Sequence, residues 1–137
     1  VCGVSEMSQV CVTVTADTMA ELRRRRDEVV GADLVELRLD TVRDPDVAGA
    51  LAGRKLPVIL TCRPTWEGGH FAGSEAERKQ MLSDALVRGA EWVDIEWKAN
   101  FGDLIASTGG KRLSDPAFGS VMPPPSTNAS SAMKGLR

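Results

Sequence analysis

The chain contains no apolar run near the ~20 residues that a membrane-spanning helix requires. Its first residues lack the basic start, apolar core and small-residue cleavage site of a signal peptide. Basic charge is not in excess. The 17 Lys and Arg against 19 Asp and Glu leave a net charge of −2, so the electrostatic footprint of a nucleic-acid binder is absent. Cysteine is scarce. Cys2, Cys11 and Cys62 form no close metal-ligand spacing, and an odd count without a secretory pattern fits a reducing cytoplasm. Histidine occurs once, at His70 in a glycine-rich stretch, where loop histidines are usually just exposed, so it receives no role. No glycine-rich nucleotide-binding turn follows a strand. What is present is ordinary for one domain: 137 residues, 42% hydrophobic and 26% charged.

The pattern along the chain alternates strand and helix. Val10 to Thr15 is β-branched and alternating, and Asp17 or Thr18 offers an N-cap, with Glu21 in the first turn, for a helix to about Val30. The basic run Arg23 to Arg26, followed by Asp27 and Glu28, reads as a solvated helix face. After Gly31, Asp33 to Leu39 is a second strand. Asp44-Pro45 starts a short helix, with Pro in the first turn, and Gly53 closes it. Val58 to Arg63 is a third strand, followed by a loop over residues 64–73. Ser74 with Glu77 forms a capping-box pattern ahead of a helix to about Arg88, whose stripe carries Met81, Leu82, Ala85 and Leu86. Gly89 stops it, Trp92 to Trp97 is a fourth strand, and Phe101 to Ser107 reads as helical. Four βα units point to a (β/α) barrel or a doubly wound sheet. Strict alternation of polar and apolar residues on the strands favours the barrel, because a doubly wound sheet buries both faces. A complete barrel has eight units in ~250 residues, so this is a half-barrel of the (β/α)8 TIM-barrel class. From Pro116 the composition shifts to Pro, Ser and Ala without periodicity, as in a disordered or poorly packed segment. The expected organisation is an N-terminal extension at 1–9, a partial barrel at 10–112 and an aberrant or disordered tail at 113–137.

Charges interrupt the strands with a period of two: Glu36, Arg38 and Asp40, then Thr61 and Arg63, then Asp94 and Glu96. By strand geometry each set shares one face, opposite the aliphatics. Groups that act on a ligand collect at the C-terminal ends of barrel strands, where Arg38 and Arg63 both lie. Two guanidinium groups converging on a cavity suit a carboxylate, which each can grip with two hydrogen bonds. Glu36 can hold an arginine or accept from ligand hydroxyls. An internal ion-pair network that merely fills a barrel explains the same spacing equally well. Glu67 lies in a glycine-rich loop that could move as a lid and bring it in as an acid-base helper, but by composition alone an ordinary surface loop is the better reading. Asp94 and Glu96 are read as neutralising nearby cations. A metal site built from Glu36, Asp40, Asp94 and Glu96 is disfavoured by Arg38 and Arg63 beside it.

At these residues the chain resembles type I 3-dehydroquinate dehydratase. The resemblance is carried by Glu36-Leu37-Arg38-Leu39-Asp40, by Thr61-Cys62-Arg63 through Glu67-Gly68-Gly69, and by Gly89-Ala90-Glu91-Trp92-Val93-Asp94-Ile95-Glu96, with Thr13 on the opening strand. It implies a (β/α)8 barrel of the shikimate pathway. Such a lyase removes water from 3-dehydroquinate by way of a lysine imine, with a histidine as general acid-base and without metal or organic cofactor. It further implies that Thr13, Glu36, Arg38 and Arg63 bind the small anionic substrate and that Glu67 assists.

The chain departs from the family pattern in two places. The histidine motif of the fifth strand has its nearest counterpart in Leu113-Ser114-Asp115-Pro116-Ala117-Phe118, which puts Pro116 where the base belongs. The imine-forming lysine has no match: Lys55, Lys79, Lys98 and Lys111 fit no catalytic position, and Lys134 lies outside any expected strand. Truncation, a frameshift near residue 112 or decay to a non-catalytic homologue would each account for this. The expectation is a chain that is inactive alone and exposes the edges of its first and fourth strands, which invites self-association into a homo-oligomer. The alternative function is a non-catalytic half-barrel that binds small carboxylates.

Overall fold

The computed structural model describes residues 8–107 and 131–135. Four strands, β1 (Cys11–Val14), β2 (Leu34–Arg38), β3 (Val58–Thr61) and β4 (Trp92–Glu96), lie parallel in sequence order. Helices α1 (Met19–Glu28), α2 (Val47–Leu51) and α3 (Glu75–Val87) connect them, and α4 (Gly102–Ser107) follows β4. This is the parallel α/β arrangement of consecutive units in a barrel. Among the described residues no helix is long and apolar enough to cross a membrane.

Helix boundaries follow local chemistry. Thr18 caps α1, its hydroxyl accepting from the Glu21 amide at 3.3 Å. Ser74 and Glu77 form a complete capping box on α3. The helix expected from Asp44-Pro45 begins later, at Val47, because Asp44 is otherwise engaged: its carboxylate accepts from the Met19 amide at 2.9 Å and so ties the approach to α2 onto the start of α1. The basic run also departs from expectation. Arg24 and Arg25 pair with Glu28 and Glu21 on the surface, but Arg26 is buried and donates to Ala50 O at 2.6 Å. Its cation thereby satisfies a carbonyl at the C-terminal end of α2, where the helix dipole is negative.

The register sorts the strand residues into two layers. Val14, Val35, Leu37, Val58, Leu60, Cys62, Val93 and Ile95 pack beneath the helices against Leu22, Ala50, Leu51, Leu82 and Ala85 in the main core. The other face carries Thr13, Glu36 and Ile59 in one register row, and Arg38 with Thr61 in the next. This inner face is not polar throughout. Leu34, Ile59 and Trp92 form a small separate cluster at the N-terminal ends of the strands, so the face has an apolar floor and turns polar only toward the C-terminal ends. Cys62 sits in the main core as a small hydrophobe, and burial pushes its thiol up to about 12.

A fifth strand, β5 (Ser131–Gly135), comes from the segment expected to be irregular. It pairs antiparallel with β4 over five residues, from Trp92 opposite Gly135 to Glu96 opposite Ser131, so Lys134 does lie in a strand, opposite Val93. The β4 edge expected to be open is therefore covered. A row of unpaired backbone groups is a strong template, and a short stretch without helical periodicity satisfies it. Residues 108–130, including the Leu113 to Phe118 stretch and Lys111, lie outside the described residues.

Leu60 is fully buried between the sheet and the helices. Leu60→Ala is expected to cost about 2–5 kcal/mol, measured as a lower urea midpoint with an unchanged m-value.

Candidate functional site

The polar half of the inner face is a set of bridges between strands. Glu36, in the middle strand of three, accepts from Thr13 Oγ1 at 3.1 Å on one side and from Thr61 Oγ1 at 3.0 Å on the other, one carboxylate oxygen each. The parallel register makes this ladder by bringing Thr13 level with Glu36 and Thr61 level with Arg38. Thr13 is exposed and Glu36 half-buried, so the ladder opens toward the β1 side.

Arg38 and Arg63 are each held by one carboxylate. Arg38 donates through Nε and Nη2 to the two oxygens of Asp40, at 2.8 and 2.7 Å. Asp40 also accepts from the His70 amide at 3.1 Å, and the His70 Nδ1 lies 3.6 Å from it. Burial works to raise the Asp40 carboxyl. The Arg38 guanidinium and the backbone amides of Arg63 and His70 outweigh it and hold the group below its ordinary value of 3.8. The same hydrogen bonding to Asp40, working against desolvation, raises Arg38. Arg63 donates to Asp94 at 2.5 Å through Nη2, while its Nε is buried without a hydrogen-bond partner among the described residues. Hence Asp94 neutralises an arginine, as its position suggested.

The two arginines share a face, and Arg38 also feels the charge of Asp94, the partner of Arg63. A space of about 480 Å³ at the C-terminal end of the sheet is lined by Arg38, Thr41 and His70 on one side and by Thr15, Glu21 and Arg25 on the other. Thr13, Glu36, Arg63 and Glu67 are not in its wall. Arg38 is turned toward Asp40, and Arg63 toward Asp94. Glu67 is half-buried, and its side chain makes no hydrogen bond among the described residues. Among them, no group of three or more His, Cys, Asp or Glu side chains is arranged to hold a metal ion.

The glycine-rich loop is built differently from a mobile lid. Residues Thr65–Glu67 form a 3₁₀ turn, closed by Gly68 at φ +79°. A Cβ on Gly69 would stand 2.1 Å from the Arg63 carbonyl oxygen. The Gly68 and Gly69 amides donate to Thr65 O and Pro64 O at 3.1 and 2.9 Å, and Phe71 N donates to Arg63 O at 3.1 Å. These glycines permit one tight conformation instead of many.

Over this ground the comparisons with known proteins are decisive. Residues 10–114 match the family described as type I 3-dehydroquinase. The chain belongs to that family. A 3-dehydroquinate dehydratase of Desulfotalea psychrophila is 35% identical over 91 residues, covering 66% of this chain and 40% of the relative. One from Methanothrix thermoacetophila is 41% identical over 100 residues, covering 72% and 42%. The chloroplastic bifunctional 3-dehydroquinate dehydratase/shikimate dehydrogenase of Arabidopsis thaliana is 35% identical over 115 residues, covering 80% of this chain and 19% of that protein. The chain thus spans well under two thirds of the length of these relatives.

Sequence reasoning passed over three residues of this type I 3-dehydroquinase chain that organise the site. Asp40 was grouped with the charged face but not recognised as the clamp on Arg38. Thr61 was not recognised as the second donor to Glu36. Arg78 was taken as part of an ordinary helix, yet its side chain is fully buried. A signal was present for the last. Arg78, Leu82 and Ala85 follow the apolar spacing of α3, as Arg26 follows Met19 and Leu22 on α1, and a cation on an apolar stripe marks a buried ion pair.

The Asp40 carboxyl is depressed in the folded protein, so its stabilisation is fully present above pH 3.8 and is lost as pH falls through the folded value. Asp40→Asn is expected to lower the stability at pH 7 by about 1.5–3 kcal/mol, the range for hydrogen bonds to charged groups. In urea melts taken from pH 7 to pH 3, the gap between variant and parent should hold to about pH 4 and close below it.

Proposed function

We propose that this chain carries the substrate-gripping face of a 3-dehydroquinate dehydratase, the lyase that converts 3-dehydroquinate to 3-dehydroshikimate and water. In this reading Thr13, Glu36, Arg38 and Arg63 bind the substrate, and Glu67 assists. The observation that supports it best is the threonine–glutamate–threonine ladder with both arginines on the same face. These groups are satisfied by one another, yet keep spare capacity. Glu36 spends one hydrogen bond per oxygen, and each oxygen has a second lone pair for a ligand hydroxyl. Arg38 engages Asp40 through Nε and Nη2, and Arg63 engages Asp94 through Nη2, so each keeps its Nη1. Hydroxyls for a carboxylate, and a carboxylate for guanidinium donors, are what a polyhydroxy ring acid offers.

The chain corresponds to a part of its relatives, and the role we assign to its described residues is binding; the imine-forming lysine and the general acid-base histidine that the resemblance implies have no assigned residue among them. The compartment this reading implies is the cytoplasm, in keeping with free thiols at Cys11 and Cys62. A homo-oligomer joined through the outer edge of β1 belongs to the same reading.

Isothermal titration with quinate, the unreactive ring acid, tests the binding role. Arg38→Ala and Arg63→Ala should each weaken binding by about 10- to 100-fold, matching the 1.5–3 kcal/mol of a charged hydrogen bond. Unchanged affinity in both variants would remove the assignment. Borohydride reduction in the presence of 3-dehydroquinate should leave the mass of every lysine-containing peptide unchanged, whereas a reduced adduct on a lysine would establish turnover chemistry in this chain.

A further inference from the structure

Arg78 is the most completely enclosed cation of the described chain, and nothing in the substrate-binding assignment uses it. Its Nε and Nη2 grip both oxygens of Glu75 at 2.8 Å. Its Nη1 donates to Glu96 Oε2 at 2.5 Å and to the Cys62 carbonyl at 3.1 Å. The guanidinium carbon lies 4.7 Å from the centre of the Phe101 ring and 5.9 Å from that of Trp66. Both distances are within the range of cation–π attraction; the contact with Phe101 is buried and worth more than one at a surface, while Trp66 is 46% exposed. Burial alone would lower Arg78, but Glu75 and Glu96 raise it, so the group stays charged. Arg78, with Trp66 beside it, holds the Glu75 carboxyl below its ordinary value.

Trp66 is the middle residue of the 3₁₀ turn, and Glu67 is the next. The turn is held on one flank by Gly68 and Gly69, where the backbone has a single arrangement. On the other flank Thr65 N donates to Phe71 O at 3.3 Å, and the Trp66 indole lies over Arg78. Glu67 has no side-chain hydrogen bond of its own to hold it. Its place relative to Arg63 and Glu36 must therefore be transmitted through the backbone of that turn.

We propose that Arg78 is a positioning residue for Glu67: through Trp66 it fastens the turn that presents Glu67 to the inner face, and through Glu96 and Cys62 it ties that turn to the ends of β3 and β4. The role of Glu67 is taken from the functional reading above; the fastening is a property of this chain whatever it binds.

Removing Arg78 alone would strand Glu96 as a buried charge, so the test uses the paired variant Arg78→Met with Glu96→Gln, which removes both buried charges and leaves Glu75 to the solvent that already reaches it. Glu96→Gln alone is its control, and Arg78→Lys keeps a cation without the two-pronged grip on Glu75. Amide hydrogen exchange at Glu67 and Gly68, whose amides close the turn onto Pro64 and Thr65, should rise about tenfold or more in the paired variant and in Arg78→Lys, with Leu60 and Val93 unchanged. For quinate, Glu67→Gln in the parent chain should weaken binding about fivefold or more. The same substitution added to the paired variant should cost less than about twofold, because the two changes act on one element. Unchanged exchange at Glu67 and Gly68, or a full Glu67→Gln effect in the paired background, overturns the proposal. A parent chain that binds no quinate defeats the functional reading alone, and the exchange rates then decide the role of Arg78 by themselves.

Discussion

Every charge on the inner face of the sheet is placed where an unpartnered ion would be costly, and this governs the rest of the structure. A carboxylate or guanidinium taken out of water loses several kcal/mol unless a partner replaces the hydration. The chain answers with pairs, each joining different segments: Arg38 to Asp40 just beyond its own strand, Arg63 to Asp94 across to β4, and Arg78 from α3 to Glu96. Each pair fixes an orientation as well as a charge. Glu36 is the exception, since it is held by two neutral hydroxyls.

The division of the inner face into an apolar floor and a polar rim follows from the same constraint. Leu34, Ile59 and Trp92 exclude water from the lower layer without asking for partners. Charges are confined to the C-terminal ends, where loops supply backbone amides. Asp40 shows the benefit, because two loop amides and one guanidinium together overcome the burial that would otherwise neutralise it. A preorganised polar rim above a dry floor is a sound base for recognising a small polar acid, since the groups need not reorient when the ligand arrives.

Much of this was legible in the sequence because it is periodic or local. Alternation located the four parallel strands, and the Thr18 cap and the Ser74–Glu77 box set the starts of α1 and α3. Gly31, Gly53 and Gly89 adopt positive φ at the helix ends where they were expected to stop the chain. The resemblance located the family. What the sequence did not disclose depends on pairs distant along the chain. Nothing in the string couples Arg63 to Asp94, 31 residues away, or Thr13 to Glu36, and both depend on strand register. The basic run was misread at Arg26 because composition sees four like charges, while the helix turns one of them inward. Composition does not tell how the 64–73 loop is built, because glycine supplies either freedom or a tight turn; the φ of Gly68 and the crowding at Gly69 decide for the turn. β5 was invisible because its segment has no period at all.

The antiparallel seat of β5 on β4 has a consequence for how the sheet can grow. A strand has one hydrogen-bonding edge on each side, and the far edge of β4 is occupied from Trp92 to Glu96. A further parallel strand, of the kind that would bend this open sheet toward closure, needs those same amides and carbonyls. Extension of the curved wall beyond β4 is thus a displacement reaction: the newcomer must first peel β5 away, residue by residue.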